Sequence, residues 1–263
     1  MAVLTISTIS LDTFNAILSR YTTTAPAKLV DLDTLRYVTV PTKLAERKKD
    51  GDAFLEKAEV EGLVEWKLKH GTFRPKLLQL VQSNPSPLIH DTTRSAFASL
   101  DPTSPLPALK SMTSLKGIGP ATASLLLAVF DPEAVPFFSD ELLRWVTWEE
   151  GGGWKRKIKY DVKEYAVLVQ GVGKLRERLG VKAVDVERVA WVLGREGRDV
   201  GAGGGEGGEK TEEEVTPNDG AKKSKSVKGK DETKVVGKGV KRKTEDGKTS
   251  EGARRSTRRK TAT

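Results

Sequence analysis

The 263-residue sequence contains no cysteine. Disulfides, thiolate nucleophiles, iron–sulfur clusters and zinc–thiolate sites are thereby excluded. Histidine is nearly absent too. His70 and His90 stand alone, without metal-ligand spacing, and read as ordinary surface or cap residues. No stretch approaches about 18 consecutive apolar residues, so no transmembrane helix and no membrane partner are expected. No basic segment leads into an apolar run near the N-terminus, so no secretory signal is legible. No convincing alternation of apolar and polar residues marks a strand. The expectation is an all-α protein of the cell interior, with no metal held by side chains.

What is present is unevenly spread. Lys and Arg number 45 against 36 Asp and Glu, a formal charge of +9. From residue 201 onward there are 17 Lys and Arg against 11 Asp and Glu. The excess positive charge therefore lies mostly in the C-terminal quarter. Four segments follow from this: a short apolar lead over 1–9, a helical body over 10–197, a glycine-rich then acidic linker over 198–220, and a Lys/Arg-rich tail over 221–263. The tail has almost no large apolar residue and is expected to be disordered. Its clusters Lys241-Arg242-Lys243 and Arg254-Arg255, Arg258-Arg259-Lys260 read as a nuclear address. They would also add salt-sensitive affinity for nucleic acid.

Helix signals run through the body. Ser10 can cap Leu11–Tyr21, with Phe14, Ile17, Leu18 and Tyr21 on one face. A helix over Asp31–Val40 should end before Pro41. A longer one covers about Ala53–Lys69, with Gly71 at its end. Pro85 and Pro87 mark a turn before a helix from Asp91 or Thr92 to about Leu100. Ser139 can cap a helix through Trp148. Asp161–Leu179 and Asp185–Arg195 complete the set. Gly171-Val172-Gly173-Lys174 reads as two glycines inside a helix, and Gly203-x-Gly205-x-x-Gly208 as linker, so no nucleotide cofactor is expected.

The most informative stretch is Leu115–Phe130, LKGIGPATASLLLAVF. Gly117 and Gly119 flank Ile118, and Pro120 follows. Glycine allows positive φ and close backbone approach. Proline suits the first turn of a helix. Ala121 to Phe130 is apolar almost all round, which predicts a buried helix. Ala108–Ser114 can form a short helix before the turn.

Helix, glycine turn, helix with the sequence LKGIGPATA resembles the helix-hairpin-helix motif of DNA-binding proteins. In that motif the turn brings backbone to a phosphate while an apolar residue, here Ile118, plugs between the helices. The resemblance implies a phosphate held by the N–H groups of Gly117, Ile118 and Gly119 with Thr122 and Lys116. It also implies a monovalent cation at the turn carbonyls as the only cofactor. The block Phe137-Phe138-Ser139-Asp140-Glu141 extends the likeness to the helix-hairpin-helix DNA glycosylases, whose aspartate after the hairpin stabilises a cationic sugar. Asp140 stands one residue further from the hairpin than in that pattern. The lysine that bifunctional members carry after the second glycine is here Ala121, so the resemblance implies no lyase. The order of these blocks, with Trp66-Lys67-Leu68-Lys69-His70-Gly71-Thr72-Phe73-Arg74-Pro75, is similar to the eukaryotic nuclear Amun-like family.

Asp140 is thus the candidate catalytic residue, although a carboxylate in a first helical turn is favoured by the helix dipole anyway. Lys67 and Arg74 are candidate phosphate contacts, while Trp66 and Phe73 are expected in the core. The favoured reading is a nuclear protein that grips the DNA phosphate backbone through the helix-hairpin-helix, without lyase activity. The alternatives are a monofunctional base-excision glycosylase using Asp140, and a scaffold for chromatin proteins.

Overall fold

The computed structural model describes residues 3–201, which fall within one unit, Met1–Lys210. The two basic clusters and most of the linker lie outside the described residues. All regular structure among the described residues is helical, as the missing strand pattern predicts. In chain order the helices are α1 Leu11–Leu18, α2 Tyr21–Thr24, α3 Val30–Thr34, α4 Val40–Lys49, α5 Lys57–His70 and α6 Leu77–Gln82. Then come α7 Ser86–Ala98, α8 Leu106–Met112, α9 Pro120–Phe130, α10 Asp140–Val146, α11 Val162–Leu179 and α12 Ala183–Arg195.

Local chemistry sets many of these boundaries. The Ser10 hydroxyl accepts the N–H of Thr13, and that of Ser139 accepts the N–H of Leu142. Glu56 and Glu59 form a reciprocal capping box at α5. Gly180 closes α11 in the left-handed region, where a glycine loses nothing to strain.

Two proline readings are corrected. Pro41 does not end a helix. α3 runs through a π-helical stretch, Leu35–Thr39, whose last bond goes from the Val40 N–H to the Leu35 carbonyl. Pro41 then enters in the first turn of α4, where its missing N–H costs little. Likewise α7 begins at Ser86 with Pro87 in its first turn, earlier than the expected Asp91 or Thr92.

Helix α9 is the centre of the body. From Ala121 to Val129 every residue is buried, and the helix packs on α4, α5, α8 and α11. Contacts on all sides are why its sequence lacks a polar face.

A second buried cluster joins α5 to α12. The His70 ring lies between Trp66, at 4.3 Å, and Trp191, at 4.9 Å, both stacked. Trp66 Nε1 donates to Asp33 at 2.7 Å. Arg36 and Glu187 form a fully buried ion pair at 3.2 Å. His70 is therefore a core residue, not the surface residue its sequence context implied. No local pattern could have brought two tryptophans from distant helices onto its faces. Burial, with the Arg195 and Arg36 charges nearby, depresses its pKa to about 3.

That shift predicts a pH dependence. The unfolded chain binds a proton at His70 near pH 6.5, whereas the folded chain binds one only near pH 3. Stability from this group is present above pH 6.5 and is lost as pH falls from 6.5 towards 3. In urea titrations across that range, His70→Phe should flatten the decline. An unchanged slope in this variant would show that the imidazole is not held neutral.

Candidate functional site

The glycine corner between α8 and α9 is shaped from two sides. Gly117 has φ of 77°, in the left-handed region. A Cβ there would lie 3.0 Å from Leu80 Cβ and 3.0 Å from Val81 Cγ2. The turn is therefore pressed against α6, and only glycine fits at 117. Gly119 differs. Its φ is −91°, it is exposed, and a Cβ would meet nothing within 4 Å. Ile118 is 3% exposed and plugs the core between the helices.

Asn84, itself buried, holds the entrance to the turn. Its Nδ2 donates to the Lys116 carbonyl at 2.9 Å, and its Oδ1 accepts the Lys116 N–H at 2.9 Å. The same Nδ2 donates to Val81 at 2.9 Å. One side chain thus satisfies both backbone groups of Lys116 and ties the turn to the end of α6. Sequence reading missed Asn84, because its partner lies 32 residues away.

The backbone donors can be accounted for one by one. The Ile118 N–H donates to the Leu115 carbonyl at 3.1 Å, and the Thr122 N–H to the Gly119 carbonyl at 3.0 Å. Ile118 therefore leaves the expected set of free donors. The N–H groups of Gly117, Gly119 and Ala121 have no acceptor among the described residues. Thr122 is 4% exposed yet reaches the wall of the adjoining cleft, while the Lys116 side chain is exposed. The Leu115, Lys116 and Gly119 carbonyls each accept hydrogen bonds within this corner. With two lone pairs per carbonyl, Leu115 and Lys116 keep capacity for a monovalent cation, whereas the Gly119 carbonyl already accepts the N–H groups of both Thr122 and Ala123. No cluster of three or more His, Asp or Glu with metal-site geometry occurs among the described residues.

Asp140 reaches this region through α9. The Ser124 hydroxyl donates to the Ala121 carbonyl at 3.0 Å and accepts the Phe138 N–H at 2.9 Å. The next residue, Ser139, caps α10, whose first residue is Asp140. Tyr160 fixes the carboxylate, its hydroxyl lying 2.9 and 3.0 Å from the two oxygens. Arg144 stands 3.7 Å from Oδ2. Tyr160 has φ of 58°, a rare value for a non-glycine residue. Glu164 holds it there by accepting the N–H groups of Lys159 and Tyr160 at 2.8 and 2.9 Å.

Two cavities meet at Asp140. One, of about 260 Å³, is lined by Gly117, Gly119, Ala121 and Thr122 on one side and by Lys67, Arg74, Lys159, Tyr160 and Asp140 on the other. The second, of about 320 Å³, lies beyond Asp140 among Lys67, Phe137, Glu141, Arg144 and Arg195. Lys67 and Asp140 belong to both. The sequence candidates 67, 74, 117, 119, 122 and 140 therefore share one cleft. Lys67 is half-buried, and burial lowers its pKa, opposed by the Asp140 charge and assisted by Arg74. Burial raises the pKa of Glu141, and the neighbouring Asp140 adds to the rise. Arg74 is exposed and lies 5.2 Å from the centre of the Tyr160 ring. Trp66 is buried as expected, but Phe73 is 69% exposed, because the chain leaves α5 at His70 and runs along the surface.

No family model, no curated protein and no solved structure matches this chain.

Sequence reading did not single out Tyr160 or Lys159. The Asp161-x-x-Glu164 cap was a usable signal, since it fixes the backbone directly ahead of α11. The Tyr160 phenol is held above its ordinary pKa, first by burial and then by the Asp140 charge and hydrogen bond. Asp140→Asn should lower it, read from the ¹³Cζ shift of Tyr160 during a pH titration. An unmoved titration would mean that the phenol does not sense Asp140.

Proposed function

We propose that this protein is a nuclear DNA-binding protein that grips the phosphate backbone through a helix-hairpin-helix at Leu106–Phe130. The observation that carries the reading is the set of three unengaged N–H groups, at Gly117, Gly119 and Ala121, on residues that line one cleft. Such amides ahead of a helix suit a single phosphate. Lys116, Arg74 and Lys159 supply positive charge around them. Contacts of this type position a strand and carry no sequence information. The exposed Phe73, beside Arg74, offers a face for stacking on a base. A monovalent cation at the turn carbonyls belongs to the same proposal. The basic clusters at 241–243 and 254–260 supply the nuclear address and non-specific affinity.

A second reading, a monofunctional DNA glycosylase, is favoured by one observation: Asp140 opens into the cleft that the hairpin amides line. In that reading the ionised carboxylate, held by Tyr160, stabilises a cationic sugar while a base occupies the cavity beyond it. The coincidence of grip and carboxylate supports the reading without requiring the chemistry.

Gly119 offers the clean test, since a side chain there meets open space, whereas bulk at Gly117 would strike α6. Gly119→Val should weaken duplex binding by roughly ten- to hundredfold, the ~1.5–3 kcal/mol of a charged hydrogen bond. The gel-shift titration is run on the full chain at elevated salt, which suppresses the contribution of the tail, with a thermal melt as folding control. Unchanged affinity would remove the hairpin grip. Affinity that instead disappears with residues 202–263 would favour the chromatin-scaffold reading.

A further inference from the structure

Three buried nitrogens without hydrogen-bond partners belong to two arginines of one cavity, away from the hairpin cleft. The cavity, of about 350 Å³, lies between the π-helical stretch, the start of α4, the turn after α9 and the start of α12. Arg36, Arg188 and Lys182 stand in its wall with the apolar Pro41, Pro132 and Val184. Pro132 follows the far end of α9, so this cavity and the glycine corner lie at opposite ends of that helix.

Each arginine is underpaired. Arg36 is wholly buried, and only its Nη2 is engaged, by Glu187 at 3.2 Å. Its Nε and Nη1 have no partner among the described residues. Arg188 reaches Asp185 through Nη1 at 3.5 Å, while its Nε is buried and unpartnered. Both bonds are long for charge-assisted pairs, which run at about 2.7–2.9 Å. Buried donors in folded proteins almost always meet an acceptor, so donors left over at a cavity mark where one belongs. The Arg188 guanidinium lies 3.9 Å from the centre of the Tyr37 ring, which holds it in the wall. The start of α12 offers no rival donors. The N–H groups of Ala183 and Val184 donate to the Glu133 and Pro132 carbonyls at 2.9 and 3.0 Å. Those bonds tie the turn after α9 to α12, so the cavity is preformed.

The charges narrow the ligand. The cations of the wall are matched by Asp185, by Glu187 against Arg36, and by Glu133, which Lys182 meets at 2.7 Å at the exposed rim. A doubly charged phosphate would face the Asp185 and Glu187 carboxylates. A singly charged carboxylate supplies acceptors with less repulsion. We propose that this cavity binds a small organic acid, its carboxylate taking free N–H groups of Arg36 and Arg188 and its apolar body lying against Pro41, Pro132 and Val184. A cavity of this size suits a small molecule. The inference is independent of the DNA-binding reading.

Benzoate serves as the probe, with benzamide as its uncharged counterpart and inorganic phosphate as the competing oxyanion. Full-length, nitrogen-15-labelled protein is titrated with each, following the arginine Nε–H resonances. Benzoate should shift those of Arg36 and Arg188, while benzamide and phosphate should leave them in place. Arg188→Gln should weaken benzoate binding by roughly tenfold or more in calorimetry, the loss of a charged hydrogen bond. Removing Arg36 alone would strand Glu187 in the core. Arg36→Met combined with Glu187→Met removes both charges, should keep a cooperative melt, and should abolish benzoate binding. If that double variant does not fold, Arg188→Gln decides, and its unchanged affinity overturns the proposal. Resonances unmoved by benzoate mean that water serves these donors, which also overturns it. So do equal shifts with benzamide, or a response to phosphate alone. Shifts at Arg74 in place of Arg36 and Arg188 would put the acid in the hairpin cleft and end the proposal.

Discussion

A left-handed glycine pressed against a helix is the constraint on which the rest of the site depends. Gly117 turns the chain while touching Leu80 and Val81, and Asn84 fastens the residue before it with two hydrogen bonds. Beside that filled inner side, Gly117, Gly119 and Ala121, whose amides have no acceptor among the described residues, line the neighbouring cleft. Losing the Asn84 amide would strand both backbone groups of Lys116, at about 1–3 kcal/mol each if they stay buried. The corner is thus rigid because it is packed.

The same economy links the corner to the carboxylate. Helix α9 is short and apolar except for Thr122, at the cleft wall, and Ser124, whose hydroxyl accepts the Phe138 N–H. That bond sets where α10 begins, and hence where Asp140 sits. Tyr160 arrives from the opposite direction, held at positive φ by Glu164. Three separate elements therefore converge on one cleft. Their charges differ in consequence. Lys67 is drawn towards neutrality by burial, and Glu141 likewise, while Lys116 and Lys159 remain in solvent.

Much of this was legible in the chain, and the reasons differ by residue. The apolar run after Pro120 announces a buried helix, because a helix enclosed on all sides cannot afford a polar face. Ser139 and Asp161 announce helix starts, because caps act within a few residues. Pro41 misled, because it falls in the first turn of α4, directly after the π-helical stretch, where its missing N–H costs little. His70 and Phe73 exchanged their expected places, since burial there depends on where α5 meets α12 and where it ends. Asn84 carries a long-range role that leaves no local pattern, and Tyr160 is marked only by the Asp161-x-x-Glu164 cap beside it. The site was readable where chemistry is local and silent where two distant segments had to meet.

The claim at the centre is that three particular main-chain amides meet a nucleic-acid phosphate. Nitrogen-15-labelled full-length protein titrated with a short duplex reports this directly. The account predicts the largest changes in amide shift at Gly117, Gly119 and Ala121, with smaller ones along Gly71–Arg74. Changes confined to residues 202–263, with the glycine corner unmoved, would contradict it.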